Sequence, residues 1–112
     1  VLGPEHEHVA ISLLNVGFSH LQLGRLDEAL EDFQEGLRIT RLIHPERNTL
    51  EGKFLGGIGS IFRFQGKLLE ALAVHKKAVQ IFTKLGNESG VEMGIAQGNV
   101  ANVFEDQGKY EE

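Results

Sequence analysis

The sequence predicts an all-α protein, an α-solenoid of antiparallel helix pairs with two full repeats and the first helix of a third. Three observations carry this reading. The phrase Gly24-Arg25-Leu26-Asp27-Glu28-Ala29-Leu30 is echoed as Gly66-Lys67-Leu68-Leu69-Glu70-Ala71-Leu72, and its opening returns as Gly108-Lys109-Tyr110-Glu111-Glu112. The three glycines stand 42 residues apart each time. Between them apolar residues recur every three or four positions, the period of an amphipathic helix. A unit this short cannot bury its apolar face alone and must stack on its neighbours. The 112 residues therefore read as one domain, 1–112, with repeats at about 8–46, 48–87 and 89–112, the last incomplete. The opening valine and the break in mid-phrase at Glu112 read as a piece of something longer.

The elements follow in order. Pro4 suits a turn or a first helical position, so the first helix should open between Glu5 and Val9 and run to Gln22. Gly24 ends it, as glycine does where φ turns positive past a helix. A second helix is expected from about Leu26 to Ile43, with Ala29, Leu30, Phe33, Gly36, Leu37 and Thr40 on one side. Its first half is acidic (Asp27, Glu28, Glu31, Asp32) and Arg38 and Arg41 lie near its end, which suits the helix dipole. Asn48 followed by Glu51 reads as an N-cap pair for a third helix. That helix carries Gly52, Gly56, Gly57 and Gly59, each costing about 0.5–1 kcal/mol against alanine, so packing between neighbours has to hold it. The fourth helix should span Leu68 to Leu85 and stop at Gly86. Ser89 with Glu92 reads as a capping box for a fifth helix reaching about Asp106, and Gly108 as a third turn.

Small residues mark the expected contacts: Gly17, Gly59 and Ala101 on the first helix of each pair, Ala29 with Gly36 and Ala71 with Ala78 on the second. Close antiparallel packing needs small residues beside large ones such as Leu13, Leu55, Leu37 and Val79. His20 and Phe33, then Phe62 and His75, are expected to face each other within the two hairpins, as packed, partly buried imidazoles and not catalytic groups.

Composition narrows the function classes. A net charge of −5 lacks the clustered cations that phosphate binding requires, so no nucleic-acid partner is expected. Without cysteine there is neither disulfide nor thiolate metal site, which fits a reducing, cytoplasmic setting. No stretch is long and apolar enough to insert in a membrane. His6 and His8 have no third ligand at metal spacing, Gly56-Gly57-x-Gly59 follows no strand, and no nucleophile neighbours a histidine. No cofactor, metal or catalytic residue is therefore assigned.

The small-residue positions, the glycine at the turn and the Glu-Ala-Leu opening the second helix resemble the tetratricopeptide repeat. The 42-residue form, with Leu2-Gly3-Pro4-Glu5-His6 before the first helix and Gly-Lys-Tyr-Glu-Glu at the turn, is similar to kinesin light chain repeats. Lys84-Leu85-Gly86-Asn87-Glu88-Ser89-Gly90 and Gly98-Asn99-Val100-Ala101-Asn102 also resemble scaffold proteins named for Leu-Gly-Asn motifs. The resemblance implies a non-catalytic scaffold that binds a peptide or partner protein on a concave surface lined by the first helix of each repeat. Carried over, that surface takes Leu14, Asn15, Phe18 and Gln22 with Ile11, then Lys53, Ser60 and Arg63 with Gly57 and Phe64. The third repeat adds Ile95, Asn99 and Asn102 with Gly98, Glu105 and Asp106. Asn15, Asn99 and Asn102 match places where related repeats hydrogen-bond a peptide backbone; Gly57 breaks the series. A chaperone-type carboxylate clamp is not implied, because Leu14, Phe18, Gly57 and Ile95 stand where its polar residues would. The alternative is an accessory or sensor repeat domain of a larger enzyme such as an NTPase, which flanking sequence would reveal. The stripe Gln97, Ala101, Phe104 and Tyr110, lacking a covering helix, predicts weak self-association at the C-terminal end.

Overall fold

The computed structural model describes residues 4–46, 48–86 and 90–111. Five helices carry the chain: α1 Pro4–Gln22, α2 Leu26–Ile43, α3 Thr49–Phe64, α4 Leu68–Leu85 and α5 Gly90–Glu111. No strand occurs among the described residues. Helix α1 packs antiparallel on α2 and α3 on α4; α2 then meets α3, and α4 meets α5. The odd-numbered helices α1, α3 and α5 also touch in sequence, whereas α2 and α4 make no comparable contact among the described residues. The odd-numbered helices thus form one continuous face of the stack.

Both hairpin turns use one geometry. Gly24 and Gly66 take φ of +77° and +80°, a region that side chains with a Cβ avoid. Each turn closes with the same pair of bonds: Gly24 N–H to Leu21 C=O and Arg25 N–H to His20 C=O, then Gly66 N–H to Arg63 C=O and Lys67 N–H to Phe62 C=O. Asn48 caps α3 as its position implies, its side-chain oxygen accepting from the Glu51 N–H at 3.0 Å. The Ser89–Glu92 pair lies outside the described residues.

Gly108 departs from the expectation. It lies inside α5, which runs on to Glu111, so the expected third turn is not made. At Gly24 and Gly66 the reversal is held by a second helix that packs back on the first. Through Glu111 the chain keeps the helical course of α5.

The core is built from rings set into glycines. Phe33 of α2, fully buried, lies between α1 and α3: a methyl at Gly17 would come within 2.5 Å of its ring, and one at Gly57 within 2.6 Å. Phe54 of α3 seats against Gly36 of α2, Phe82 of α4 against Gly52, and His75 of α4 against Gly59. Gly36 thus serves the junction to the following repeat. Burying one such phenylalanine is worth about 1.5–3 kcal/mol, more than the helix propensity lost at a glycine. Phe33 also meets Phe18 and Phe54 edge-on, at centroid distances of 5.0 and 6.2 Å, the arrangement aromatic quadrupoles favour.

The two histidines expected as packed, partly buried imidazoles differ in depth, His75 being buried and His20 intermediate. His75 is 1% exposed, with Nδ1 unpartnered among the described residues. Burial, with the Arg63 charge second, pushes its pKa down to about 4, so the packed ring is neutral. His20 is only partly buried and turns to carboxylates instead. Its Nδ1 lies 2.6 Å from Asp32 and its Nε2 3.4 Å from Glu28, leaving Phe33 to the glycines.

Candidate functional site

Three successive odd helices bring most of the predicted partner-binding residues onto one face. Its central feature is a cavity of about 410 Å³ lined by side chains from α1, α3, α4 and α5. Five predicted residues meet there: Phe18 of α1, Lys53 and Ser60 of α3, and Ile95 and Asn99 of α5. Phe18 and Ile95 are both exposed apolar side chains and stand as walls. The floor is open at Gly56, where the nearest atom to a methyl would be Asn99 Nδ2, 3.9 Å away, while the Phe82 ring fills the place of a side chain at Gly52.

A second, more polar depression lies between α1 and α3, about 430 Å³, with Ile11, Leu14, Asn15 and Lys53 among its lining. Asn15 is exposed there. Leu14 is 8% exposed and part of the core cluster, so it contributes floor and not a reaching side chain. Gln22 and Asn102 are exposed and line neither depression. Gly57, expected on the same surface, is buried as the seat of Phe33, which explains why the asparagine series breaks at that position.

Charge at the site is internally matched. The Arg63 guanidinium makes two hydrogen bonds to the Asp106 carboxylate across α3 and α5. The hydrogen bond to Arg63 holds the Asp106 carboxyl below the usual carboxylate range, and the pairing raises Arg63 in turn. Arg63 is therefore a tie between helices before it is a ligand contact. Lys53 Nζ lies 4.0 Å from Glu92 at the cavity rim. Among the described residues no group of three histidine, cysteine or carboxylate side chains is placed to hold a metal ion, and no helix is long and apolar enough to cross a membrane.

Two tetratricopeptide repeat models match this chain, one over residues 51–112 and the other over residues 9–46. The chain belongs to the tetratricopeptide repeat family. It is also 33% identical, over 85 residues or 76% of its length, to a clustered mitochondria protein homolog of Candida albicans. The match spans 6% of that relative, so the chain resembles a small part of a much longer protein.

Tetratricopeptide repeats generally mediate contacts between proteins. Within this repeat array several lining residues were not visible as site residues in the sequence: Gly52, Gly56, Ala78, Phe82, Glu92 and Ala96. A signal for two of them exists. Ala96 stands 42 residues after Phe54, and Ala78 42 residues after Gly36. Aligning the repeats position by position would have shown a ring lost at the second junction.

Proposed function

We propose that this segment is a non-catalytic interaction module that holds an extended peptide, or an extended stretch of a partner protein, along the concave face of α1, α3 and α5. The observation that carries this reading is the 410 Å³ cavity opening on that face, apolar in its walls and edged by Asn99 and Ser60. A peptide backbone crossing it meets the Asn99 carboxamide, with Asn15 and Asn102 exposed to either side, groups that can both donate and accept, while its side chains find the apolar surface of Phe18 and Ile95. The test is a proteome pulldown followed by calorimetry of the recovered partner on the native chain and on Asn99→Ala with Asn102→Ala. The double variant should lose roughly 1–3 kcal/mol of binding free energy and fold normally. Undiminished affinity would remove the concave-face reading.

A second property is proposed for the opposite side of α5. Gln97, Ala101 and Phe104 are exposed, Phe104 by 51%, at places where α1 and α3 are covered by α2 and α4. Lys76 lies over the Phe104 ring at 5.8 Å but leaves most of it open. This stripe supports weak, concentration-dependent self-association.

A further inference from the structure

We propose that the cavity between α3 and α5 is a socket for one uncharged aromatic side chain, phenylalanine or tryptophan, of the segment bound on the concave face. The proposal deepens the peptide-binding reading and rests on it.

The origin of the cavity points to its occupant. At the first junction between repeats, the Phe54 ring is buried against Gly36. At the second junction the corresponding residues are Ala96 and Ala78, both buried and both lining the cavity. The backbone repeats but the ring does not, so a space that the first junction fills from within is left open at the second. Glycine at 56 leaves the α3 side of this space open, and at 52 the Phe82 ring takes the place of a side chain. An apolar cavity of about 150 Å³ is enough to take benzene; at about 410 Å³ this one admits a phenyl or indole group together with the backbone that delivers it. Phe18 and Phe82 offer ring edges and faces, whose contacts with another aromatic add to simple area burial.

Charge disfavours an ionised occupant. The cation at the rim, Lys53, is beside Glu92, and Arg63 is held by Asp106. A lysine or carboxylate entering the cavity would give up its hydration without an opposite charge left over to meet it. The neutral polar groups at the edge, Asn99 and Ser60, suit the amides of the backbone that flanks the inserted ring.

The experiment uses a random peptide library displayed and selected on the native chain. Selected peptides, and versions with each residue replaced by alanine, are then titrated on the native chain and on Gly56→Leu. That substitution sends a side chain from the floor into open cavity, and glycine-to-leucine raises helix propensity, so the fold should be kept. A double variant, Ala78→Gly with Ala96→Phe, re-creates the residue pair of the first junction and closes the cavity by a second route. The expected result is a shared aromatic position in the selected peptides. Replacing that aromatic, or filling the cavity, should each weaken binding at least tenfold, and doing both should cost little more than either alone. Peptides without a shared aromatic overturn the socket. So do peptides that keep their affinity for both filled variants but lose it on Asn99→Ala with Asn102→Ala, and in that case the concave-face reading stands. Failure to select any binder overturns both.

Discussion

Gly56 and Gly57 are neighbours on α3, yet an added methyl should act on them in opposite directions. At Gly56 the methyl would enter the cavity, its nearest neighbour an amide nitrogen 3.9 Å away. Replacing glycine by alanine there removes backbone freedom from the unfolded chain and should stabilise by about 0.4–1 kcal/mol. At Gly57 the methyl would sit 2.6 Å from Cε2 of Phe33, about 1 Å inside an ordinary carbon–carbon contact. The ring has nowhere to retreat, because its opposite edge lies as close to Gly17, and Phe18 and Phe54 flank it. Overpacking of this kind costs roughly 1–3 kcal/mol, and the propensity gain offsets only part of it. The propensity gain is common to both variants, so Gly57→Ala should lie roughly 1–3 kcal/mol below Gly56→Ala, a separation of about 4 °C or more in Tm for a domain near this size. Urea unfolding followed by circular dichroism, with midpoints compared at equal slope, reads this directly. Equal midpoints for the two variants would show that Phe33 is not clamped between α1 and α3, and the account of the core as rings set into glycines would fail.

Further outcomes are expected elsewhere. His75 is buried neutral with its pKa lowered to about 4, so the unfolded chain, titrating near 6.5, binds the proton more readily. Its contribution is complete above about pH 6.5 and is lost as the pH falls toward 4. His75→Phe should flatten that part of the stability–pH curve while costing no more than about 1–2 kcal/mol at neutral pH; an unchanged curve would place the acid sensitivity elsewhere. Asn48→Ala removes the cap bond to Glu51 and should cost about 0.5–2 kcal/mol in thermal or urea unfolding. For the exposed stripe on α5, sedimentation across a wide concentration range should show weak association that Phe104→Glu abolishes; a native chain that stays monomeric throughout would refute the adhesive role.

The sequence by itself determined the features that depend on local geometry. The 42-residue period, the ends of α2 and α4, the turns at Gly24 and Gly66 and the Asn48 cap all follow from φ preferences and nearby hydrogen bonds, and all are present in the fold. The face carrying Phe18, Lys53, Ser60, Ile95 and Asn99 was also legible, because residues one repeat apart share a register. What only the tertiary structure decided depends on what each side chain meets. A helix turns about 100° per residue, following from its 3.6-residue period, so adjacent positions face different neighbours. Gly57 thereby receives Phe33 while Gly56 opens the groove, and Leu14 enters the core while Asn15 stays outside. Gly108 carries the same local phrase as Gly24 and Gly66 but is helical. The cavity is the clearest case: the change from Phe54 to Ala96 is written in the sequence, but it becomes a void only where α5 packs on α4 as α3 packs on α2, without the ring.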